Sequence, residues 1–252
     1  NSKNIYVANA GIDGQSTFGH IKNFEHWFPF INGLKPEYFL FYIGVNDFYK
    51  DEGFRYDNME DSDFTGYRRI WKFLKSRSII VRLYFTIKNV SHASMHGLNH
   101  HLGHRKAIFM SDNWTSNPVL SDYELILDER LKDFKNRLNV LCDYVESYGS
   151  KAIFVTQSQR RFYKFENGKL YGDPYLRNYD GYHFNGVDYY YMINHFHKTI
   201  QNLSNNRGAI FIDLDNELDF NLANDFYDSV HHTPSGAKKI GEALYENLKS
   251  LF

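Results

Sequence analysis

Tyr38-Phe-Leu-Phe-Tyr-Ile43 is an uninterrupted apolar run that leads directly into the polar loop Gly44-Val-Asn46-Asp47. Short aromatic and β-branched runs bounded by Gly, Asn and Asp are typical of buried strands in a parallel sheet. In an open α/β sheet, ligands bind at the edge formed by the carboxyl ends of the strands. This stretch therefore predicts an α/β fold whose functional residues lie in the loops that follow its strands.

A second apolar run, Ile5-Tyr-Val-Ala, leads into Asn9-Ala-Gly11-Ile-Asp-Gly14 and predicts another such strand. A glycine lets its backbone N–H approach a substrate oxygen closely, and an Asn side chain supplies a second neutral donor. Two donors that converge on one point form an oxyanion hole. The alternative is that Gly11 and Gly14 only satisfy turn geometry and that Asn46 only caps a helix.

Helical and strand patterns alternate along the rest of the chain, which favours a parallel sheet with helical crossovers. Large apolar residues recur every three to four positions over 127–145 and indicate a long amphipathic crossover helix. The other predicted helices cover about 17–30, segments of 66–90, 187–203 and 234–251, and the later strands cover 152–156 and 209–213.

Near the end of the chain, Asp228-Ser-Val-His231-His-Thr-Pro-Ser-Gly236 places an Asp three residues before a His, at the start of an amphipathic helix. A catalytic imidazole needs a carboxylate that fixes its tautomer and stabilises its protonated form. A short loop can present both groups toward one pocket. Alone, this spacing is a weak indication, because any loop rich in Asp and His can produce it.

Taken together and in this order, the three segments resemble the SGNH (GDSL-type) hydrolase family, whose motifs include N-x-G-x-x-G, G-x-N-D and D-x-x-H. The residues that match these motifs are Asn9, Gly11, Gly14, Gly44, Asn46, Asp47, Asp228 and His231. The resemblance implies a three-layer α/β/α fold with a flavodoxin-like parallel sheet. It also implies a single domain over 1–252, with an insertion at about 91–118.

The family's nucleophile is a Ser in a G-D-S motif on the first strand, and this sequence contains no G-D-S. Ser2 precedes a predicted strand, while Ser16 and Ser229 lie beside motifs where the family has no nucleophile. We expect an upstream segment of the same protein to carry the first strand and the nucleophile. That strand would lie between the two strands predicted first, and its absence would leave backbone groups unpaired, at roughly 1–3 kcal/mol for each buried group.

The resemblance implies acyl transfer from an ester, most often to water, without a metal or an organic cofactor. His231 is then the general base and later the general acid, and Asp228 orients it. The Gly14 N–H and the Asn46 amide bind the oxyanion. His232 competes for the role of base by adjacency, but it occupies a position that the family usually gives to an apolar residue.

The substrate class stays open at this point. A lipid, a small ester and an O-acetylated carbohydrate all fit the motifs. One alternative is a carbohydrate O-acetyltransferase or deacetylase that acts on a cell-envelope polymer. The other is a non-catalytic carbohydrate- or lipid-binding relative without the nucleophile, although such a protein would not need the Asp, His, Asn and Gly set together.

Composition excludes several other classes of partner. The chain has 252 residues and a net charge of −1 at pH 7, which argues against electrostatic binding to nucleic acid or to an anionic membrane surface. No apolar run approaches the ~20 residues that span a bilayer. The single Cys142 excludes an intramolecular disulfide, and we expect it to pack as a small apolar side chain within a helix.

The middle insertion and two later segments offer rival sites. The insertion holds histidines with the i, i+4 spacing that metals use, namely His92, His96, His100, His101 and His104. No Cys or nearby carboxylate accompanies them, so we expect no metal site. We expect the insertion and the aromatic loop 160–182 to form a lid or wall over the site. Asp213 and Asp215 end a predicted strand, where we expect turn and capping roles.

Overall fold

In a computed structural model of the chain, the described residues are 5–12, 14–49, 79, 83–84, 113–157, 162–226 and 231–251. The chain divides into two compact units. One unit comprises Asn1–Met59 together with Phe109–Phe252, and the other comprises Glu60–Ile108. Every strand and helix named below belongs to the first unit.

Helices separate the three strands of the parallel sheet along the chain, as the sequence pattern predicts, but four short strands not predicted from the sequence follow the second of them directly. The helices are α1 (Thr17–His26), α2 (Val45–Tyr49), α3 (Tyr123–Ser147), α4 (Gly186–Arg207), α5 (Leu214–Glu217), α6 (Leu222–Asp225) and α7 (Pro234–Leu248). The strands are β1 (Tyr38–Ile43), β2 (Lys151–Thr156), β3 (Tyr163–Glu166), β4 (Lys169–Gly172), β5 (Arg177–Tyr179), β6 (Tyr182–Phe184) and β7 (Ile210–Ile212). Single turns of 3₁₀ helix cover Phe28–Phe30 and Lys249–Leu251.

A parallel sheet with the strand order β1–β2–β7 lies at the centre of the described fold. β1 and β2 pair along their full length, from Tyr38 opposite Lys151 to Ile43 opposite Thr156. Because the strands are parallel, their carboxyl ends meet at one edge of the sheet. The predicted strands at 38–43 and 152–156 are confirmed, and the third is shorter than predicted.

Helices cover both faces of this sheet. Successive strand residues point to opposite faces, so each strand contributes apolar side chains to both sides. Phe41, Ile43 and Phe154 join one buried cluster with α1, α3 and α4. Ile153 and Val155 join a second cluster with α7. The fold is therefore α/β, with a parallel sheet between helices, and it is compatible with a three-layer α/β/α arrangement.

The amphipathic helix predicted over 127–145 is confirmed as α3, whose apolar stripe is fully buried. The buried residues of α3 are Leu127, Phe134, Leu138, Leu141, Cys142 and Val145. Cys142 packs among them as predicted, and burial raises the pKa of its thiol to about 11. A thiol in such surroundings behaves as a small apolar group.

Local capping residues set the ends of the helices. Ser16 begins α1, where its hydroxyl accepts the Phe18 N–H at 3.2 Å. Asn185 begins α4 with a reciprocal capping box to Asp188, and Gly208 ends α4 in the left-handed conformation. The hydroxyl of Ser16 is thus used to cap a helix, which agrees with its exclusion as a nucleophile.

The strand predicted from the run at 5–8 is wrong. Residues 5–12 have no regular secondary structure, and the side chains of Tyr6 and Val7 are 91% and 90% exposed. β1 pairs with β2 on one side, and in the described part of the chain no strand pairs with its other side. An apolar run without a neighbouring strand cannot complete its hydrogen bonds or bury its side chains, so its β propensity is not realised.

The loop predicted over 160–182 contains two antiparallel hairpins, β3–β4 and β5–β6. The first hairpin packs closely on the N-terminus of α4. A Cβ atom at Gly186 would overlap the carbonyl oxygen of Phe162, and one at Gly172 would overlap the backbone of Val187. These glycines therefore allow two backbone segments to approach each other closely.

Among the helices that the structure describes, none combines the length and the apolar character needed to cross a membrane.

Gly186→Ala tests the close packing of the hairpin on α4. We expect it to lower the free energy of unfolding by about 2 kcal/mol or more, since the added methyl group meets backbone that cannot move aside cheaply. The matched control is Gly241→Ala in α7, where, apart from the backbone of its own helix and its chain neighbours, no atom of the described residues lies within 4 Å of the added carbon. That substitution should raise the free energy of unfolding by about 1 kcal/mol. Denaturant unfolding of both variants measures the difference, and equal stability of the two would contradict the packing.

Candidate functional site

The two glycine-containing segments predicted to form an oxyanion hole are in direct contact. Asn46 lies in α2, immediately after β1, and its Nδ2 donates to the backbone carbonyl of Gln15 at 2.8 Å. Gln15 follows Gly14, which is half-buried and has a φ of 75°. This bond uses one of the two N–H groups of the Asn46 amide and fixes the direction of the other.

A buried carboxylate next to Asn46 joins three helices. Asp47 is fully buried, and its Oδ1 accepts the backbone N–H of Thr17 at 3.0 Å and the hydroxyl of Thr17 at 2.5 Å. Arg137 of α3 donates from Nε to the Thr17 hydroxyl at 2.9 Å, and its Nη2 lies 3.8 Å from Asp47 Oδ1. This network ties α1 and α2 to α3, so it also holds Asn46 and Gln15 together.

The end of β2 supports the same loop from the other side. The side-chain oxygen of Gln157 accepts the Val45 N–H at 3.1 Å, and the Gln157 N–H donates to the Ile43 carbonyl at 3.2 Å. The turn between β1 and α2 is therefore held by the neighbouring strand as well as by α1. A site built on such supported backbone keeps its donors in place without a substrate.

The segment 227–231, here called the histidine loop, is flanked by two residues that pair with each other. Phe226 and His232 form an antiparallel bridge, and the Thr233 N–H donates to the Asp225 carbonyl at 2.9 Å. Five positions, 227–231, therefore connect two paired residues. Asp228 belongs to this loop but lies outside the described residues, so its contact with His231 stays a prediction. His231 itself is exposed.

His232 faces the protein interior rather than solvent. Its ring lies 5.1 Å from the Phe220 ring and 4.4 Å from the Phe226 ring, centroid to centroid. Its Nε2 lies 3.3 Å from the hydroxyl of Tyr42, within hydrogen-bond distance. Tyr42 is the penultimate residue of β1, so the histidine loop lies at the same end of that strand as Asn46.

A buried carboxylate also holds the base of the histidine loop. Asp225 is fully buried, and it accepts hydrogen bonds from the Asn221 N–H at 2.7 Å, the Ser235 hydroxyl at 3.0 Å and Lys239 Nζ at 2.6 Å. Burial alone would raise the pKa of Asp225, but the hydrogen bonds from Lys239, Asn221 and Ser235 outweigh it and lower the pKa. No pattern in the sequence indicates this anchor, because its residues match none of the three SGNH motifs.

The aromatic segment 160–182 reaches the helix that carries Asn46. Phe48 of α2 packs against Tyr179 at 5.0 Å and Phe184 at 6.1 Å, measured between ring centroids. Arg130 donates to the Phe48 carbonyl at 2.8 Å and lies over the Tyr179 ring at 4.7 Å. The β5–β6 hairpin therefore packs against α2, and its role as a lid or wall over the site stays a prediction. The insertion at 91–118 lies outside the described residues apart from 113–118.

Of the turn and capping roles predicted for Asp213 and Asp215, a turn role is confirmed for Asp213, and the prediction is wrong for Asp215. Asp213 begins α5 and accepts hydrogen bonds from the Thr156 hydroxyl at 2.9 Å and Asn216 Nδ2 at 2.7 Å, which fits a turn role. Asp215 is fully buried and accepts the hydroxyl of Tyr163 at 2.5 Å. A buried carboxylate needs such partners, so its position reflects tertiary contacts rather than capping.

The described residues contain no group of three or more His, Cys, Asp or Glu side chains that could hold a metal ion. The five histidines at 92–104 lie outside the described residues.

Comparison of the chain with protein-family models, with curated protein sequences and with solved structures finds no match. The SGNH resemblance therefore stays a prediction drawn from the residues of the three segments. The described geometry adds that two of those segments, around Gly14 and Asn46, are hydrogen-bonded to each other. It also adds that the third approaches the same end of β1.

The buried ion pair at the base of the histidine loop makes stability depend on pH. Because the folded-state pKa of Asp225 is lowered, its contribution is present above the unfolded pKa of about 3.9 and is lost as the pH falls through the folded value. We expect Asp225→Asn to lower the free energy of unfolding at pH 7 by about 2 kcal/mol. Its deficit relative to the wild type should shrink below about pH 4.

The neighbouring lysines provide a control for this prediction. Lys239→Met removes the cation that contacts Asp225, whereas Lys238→Met removes one that is 76% exposed and lies 3.7 Å from Glu242. Exposed pairs contribute little, so Lys238→Met should be nearly neutral. Chemical denaturation over a pH series measures both variants. A Lys239→Met variant as stable as Lys238→Met would show that the pair does not hold the loop.

Proposed function

We propose that this chain carries the acyl-transfer site of a serine esterase of the SGNH type, with a flavodoxin-like sheet. His231 is the general base, Asp228 orients it, and the Gly14 N–H and Asn46 amide bind the oxyanion. The observation that supports this most strongly is the contact between Tyr42 and His232. It brings the histidine loop to the end of β1 that Asn46 follows.

The oxyanion role of Asn46 is supported by the way its amide is held. One N–H is used by the Gln15 carbonyl, so the amide plane is fixed before any substrate arrives. Asn46 is half-buried, which leaves its second N–H within reach of a ligand. Donors that are oriented in advance stabilise a developing negative charge without a reorganisation cost, and this is the main electrostatic contribution to such reactions.

The choice of His231 over His232 follows from their surroundings. His232 is in a bridged, extended segment, and its ring is packed between Phe220 and Phe226. Successive residues in extended chain point to opposite sides, so the exposed His231 faces away from this aromatic cluster. His232 therefore supports the loop through Tyr42, and His231 is the imidazole that a substrate can reach.

The proposed reaction has two steps, namely acylation of the serine and hydrolysis of the acyl-enzyme. His231 takes the proton of a serine hydroxyl while the serine oxygen attacks the ester carbonyl, and the proton then passes to the departing alcohol. Water next attacks the acyl-enzyme, His231 takes its proton, and the acid leaves as the proton returns to the serine oxygen. The serine is the one that the family resemblance implies in a G-D-S motif.

The two adjacent histidines provide the test of the function. Wild-type protein should hydrolyse a short p-nitrophenyl ester and should become labelled by a serine-reactive fluorophosphonate. His231→Ala should abolish most turnover and most labelling, because the hydroxyl loses its base. His232→Ala should retain labelling and lose activity only as far as the loop loosens. A protein that never labels would favour a non-catalytic binder, and loss in His232→Ala alone would make the choice of base wrong.

Asn46→Ala tests the oxyanion hole. We expect kcat to fall by roughly 10²–10³, because one donor to the oxyanion is lost, while KM changes little. Asn139→Ala is the matched control, since Asn139 is also half-buried and its side chain on α3 donates to the Lys135 carbonyl and accepts from Arg207. Steady-state kinetics on the same ester measures both variants. An Asn46→Ala enzyme with the kcat of the control would exclude the amide from the reaction.

A further inference from the structure

A buried imidazole lies directly against the turn that leads to Asn46. His197 projects from α4 and is 2% exposed. Gly44, which links β1 to α2, has a φ of 124°, and a Cβ atom there would lie 3.7 Å from Nε2 of His197. The ring therefore faces the Gly44 turn, two residues before the proposed oxyanion donor, across a space about one methyl group wide.

Burying the polar ring of His197 costs free energy, because its nitrogen atoms lose their hydrogen bonds to water. Neither Nδ1 nor Nε2 has a hydrogen-bond partner among the residues that the structure describes. The nearest charged group is Asp215, whose Oδ2 lies 3.8 Å from Nδ1. An apolar side chain of similar volume would avoid the desolvation cost, so packing alone does not account for a histidine here.

The carboxylate that faces His197 is itself held in place from two elements. The hydroxyl of Tyr163 in β3 donates to Asp215 Oδ2 at 2.5 Å. The Asp215 N–H donates to the hydroxyl of Thr156, the last residue of β2, at 3.2 Å. Asp215 is 1% exposed, so water does not screen its charge from the imidazole. The carboxylate therefore lies on the Nδ1 side of the ring, 3.8 Å away, and attracts a proton on Nδ1 electrostatically.

The charges around His197 favour a neutral ring with a defined tautomer. Burial lowers the pKa of His197, and the nearby carboxylates of Asp215 and Asp213 oppose this effect without reversing it. Because Nδ1 faces a carboxylate, the surroundings favour the neutral tautomer that carries its proton on Nδ1, with Nε2 on the side of Gly44. Tyr189 lies in the same region, and burial, followed by Tyr49, Tyr163 and Asp215, raises the pKa of its hydroxyl, which stays protonated.

We propose that His197 is a positioning residue for the oxyanion hole: oriented by Asp215, it packs against the Gly44 turn and sets the position of Asn46. This role rests on the proposed function. This role explains why the polar side chains of Tyr163, Asp215 and His197 lie buried beside one another, which packing of the fold does not require. It also connects the β3–β4 hairpin to the site, since Tyr163 belongs to β3.

His197→Leu tests the positioning role, with Ile193→Val on the same face of α4 as the control. Ile193 is also buried and lies one helical turn before His197, so its shortening changes the same part of the core while it leaves the imidazole in place. We expect His197→Leu to lower kcat roughly 10–100-fold with KM within about twofold, because a small displacement of a catalytic donor has effects of this size. Its free energy of unfolding should be no lower than that of the control.

A second measurement does not depend on activity. NMR spectra should show shifted resonances for the Gly44 amide and the Asn46 side-chain amide in His197→Leu and unshifted ones in Ile193→Val. Asp215→Asn, which keeps the hydrogen bond to Tyr163, should shift the same resonances by a smaller amount. If His197→Leu does not fold, the resonances of Asp215→Asn are compared with those of Ile193→Val instead.

The two proposals fail in different ways. A wild-type protein that hydrolyses no ester removes the proposed function, and the NMR comparison then decides the positioning role alone. An active wild type, together with a His197→Leu variant that keeps the control's kcat and leaves the Asn46 resonances unmoved, would overturn the positioning role. Shifted Asn46 resonances with a lowered kcat would support both.

Discussion

Parallel pairing of β1 with β2 is the constraint on which the candidate site depends. The pairing runs over six residue pairs and brings the carboxyl ends of the two strands to one edge. The Gly44 turn and Asn46 follow β1 at this edge, and Gln157 follows β2. Tyr42, near the same end of β1, then contacts the histidine loop. Segments that are far apart in the chain thus approach one another because the two strands share a direction.

Three buried carboxylates support this edge, and each does so with different partners. Asp47 joins α1 to α2 and has Arg137 nearby, Asp225 holds the base of the histidine loop with Lys239, and Asp215 faces His197. Burying a carboxylate is expensive unless hydrogen bonds or a cation compensate. Positions where a fold accepts that cost often specify one arrangement of neighbouring groups rather than adding stability. Their location around the Gly44 turn and the histidine loop is consistent with a fold that fixes donor and base geometry.

The sequence predicted the elements whose stability comes from a repeating apolar pattern. The long helix around Phe134 and the strand at 152–156 lie where periodicity places them, because their apolar residues face the core. The strand at 5–8 did not form, since a strand depends on a neighbour that its own residues do not specify. The surroundings of Asp215 could not be predicted from the sequence for the same reason. They are set by Tyr163 and His197, which come close to Asp215 only after folding. Motif spacing singled out Asn46, whose role stays a prediction, whereas no spacing in the sequence indicates the Asp225 anchor.

In the proposed function, the histidine loop and the Asn46 turn enclose one reaction centre. A crystal structure that shows residues 227–231 in density tests this arrangement. We expect an Asp228 carboxylate within hydrogen-bond distance, about 2.6–3.2 Å, of His231 Nδ1. We also expect His231 Nε2 and Asn46 Nδ2 to line the same cavity. An imidazole of His231 that points away from both Asp228 and Asn46 would contradict this arrangement.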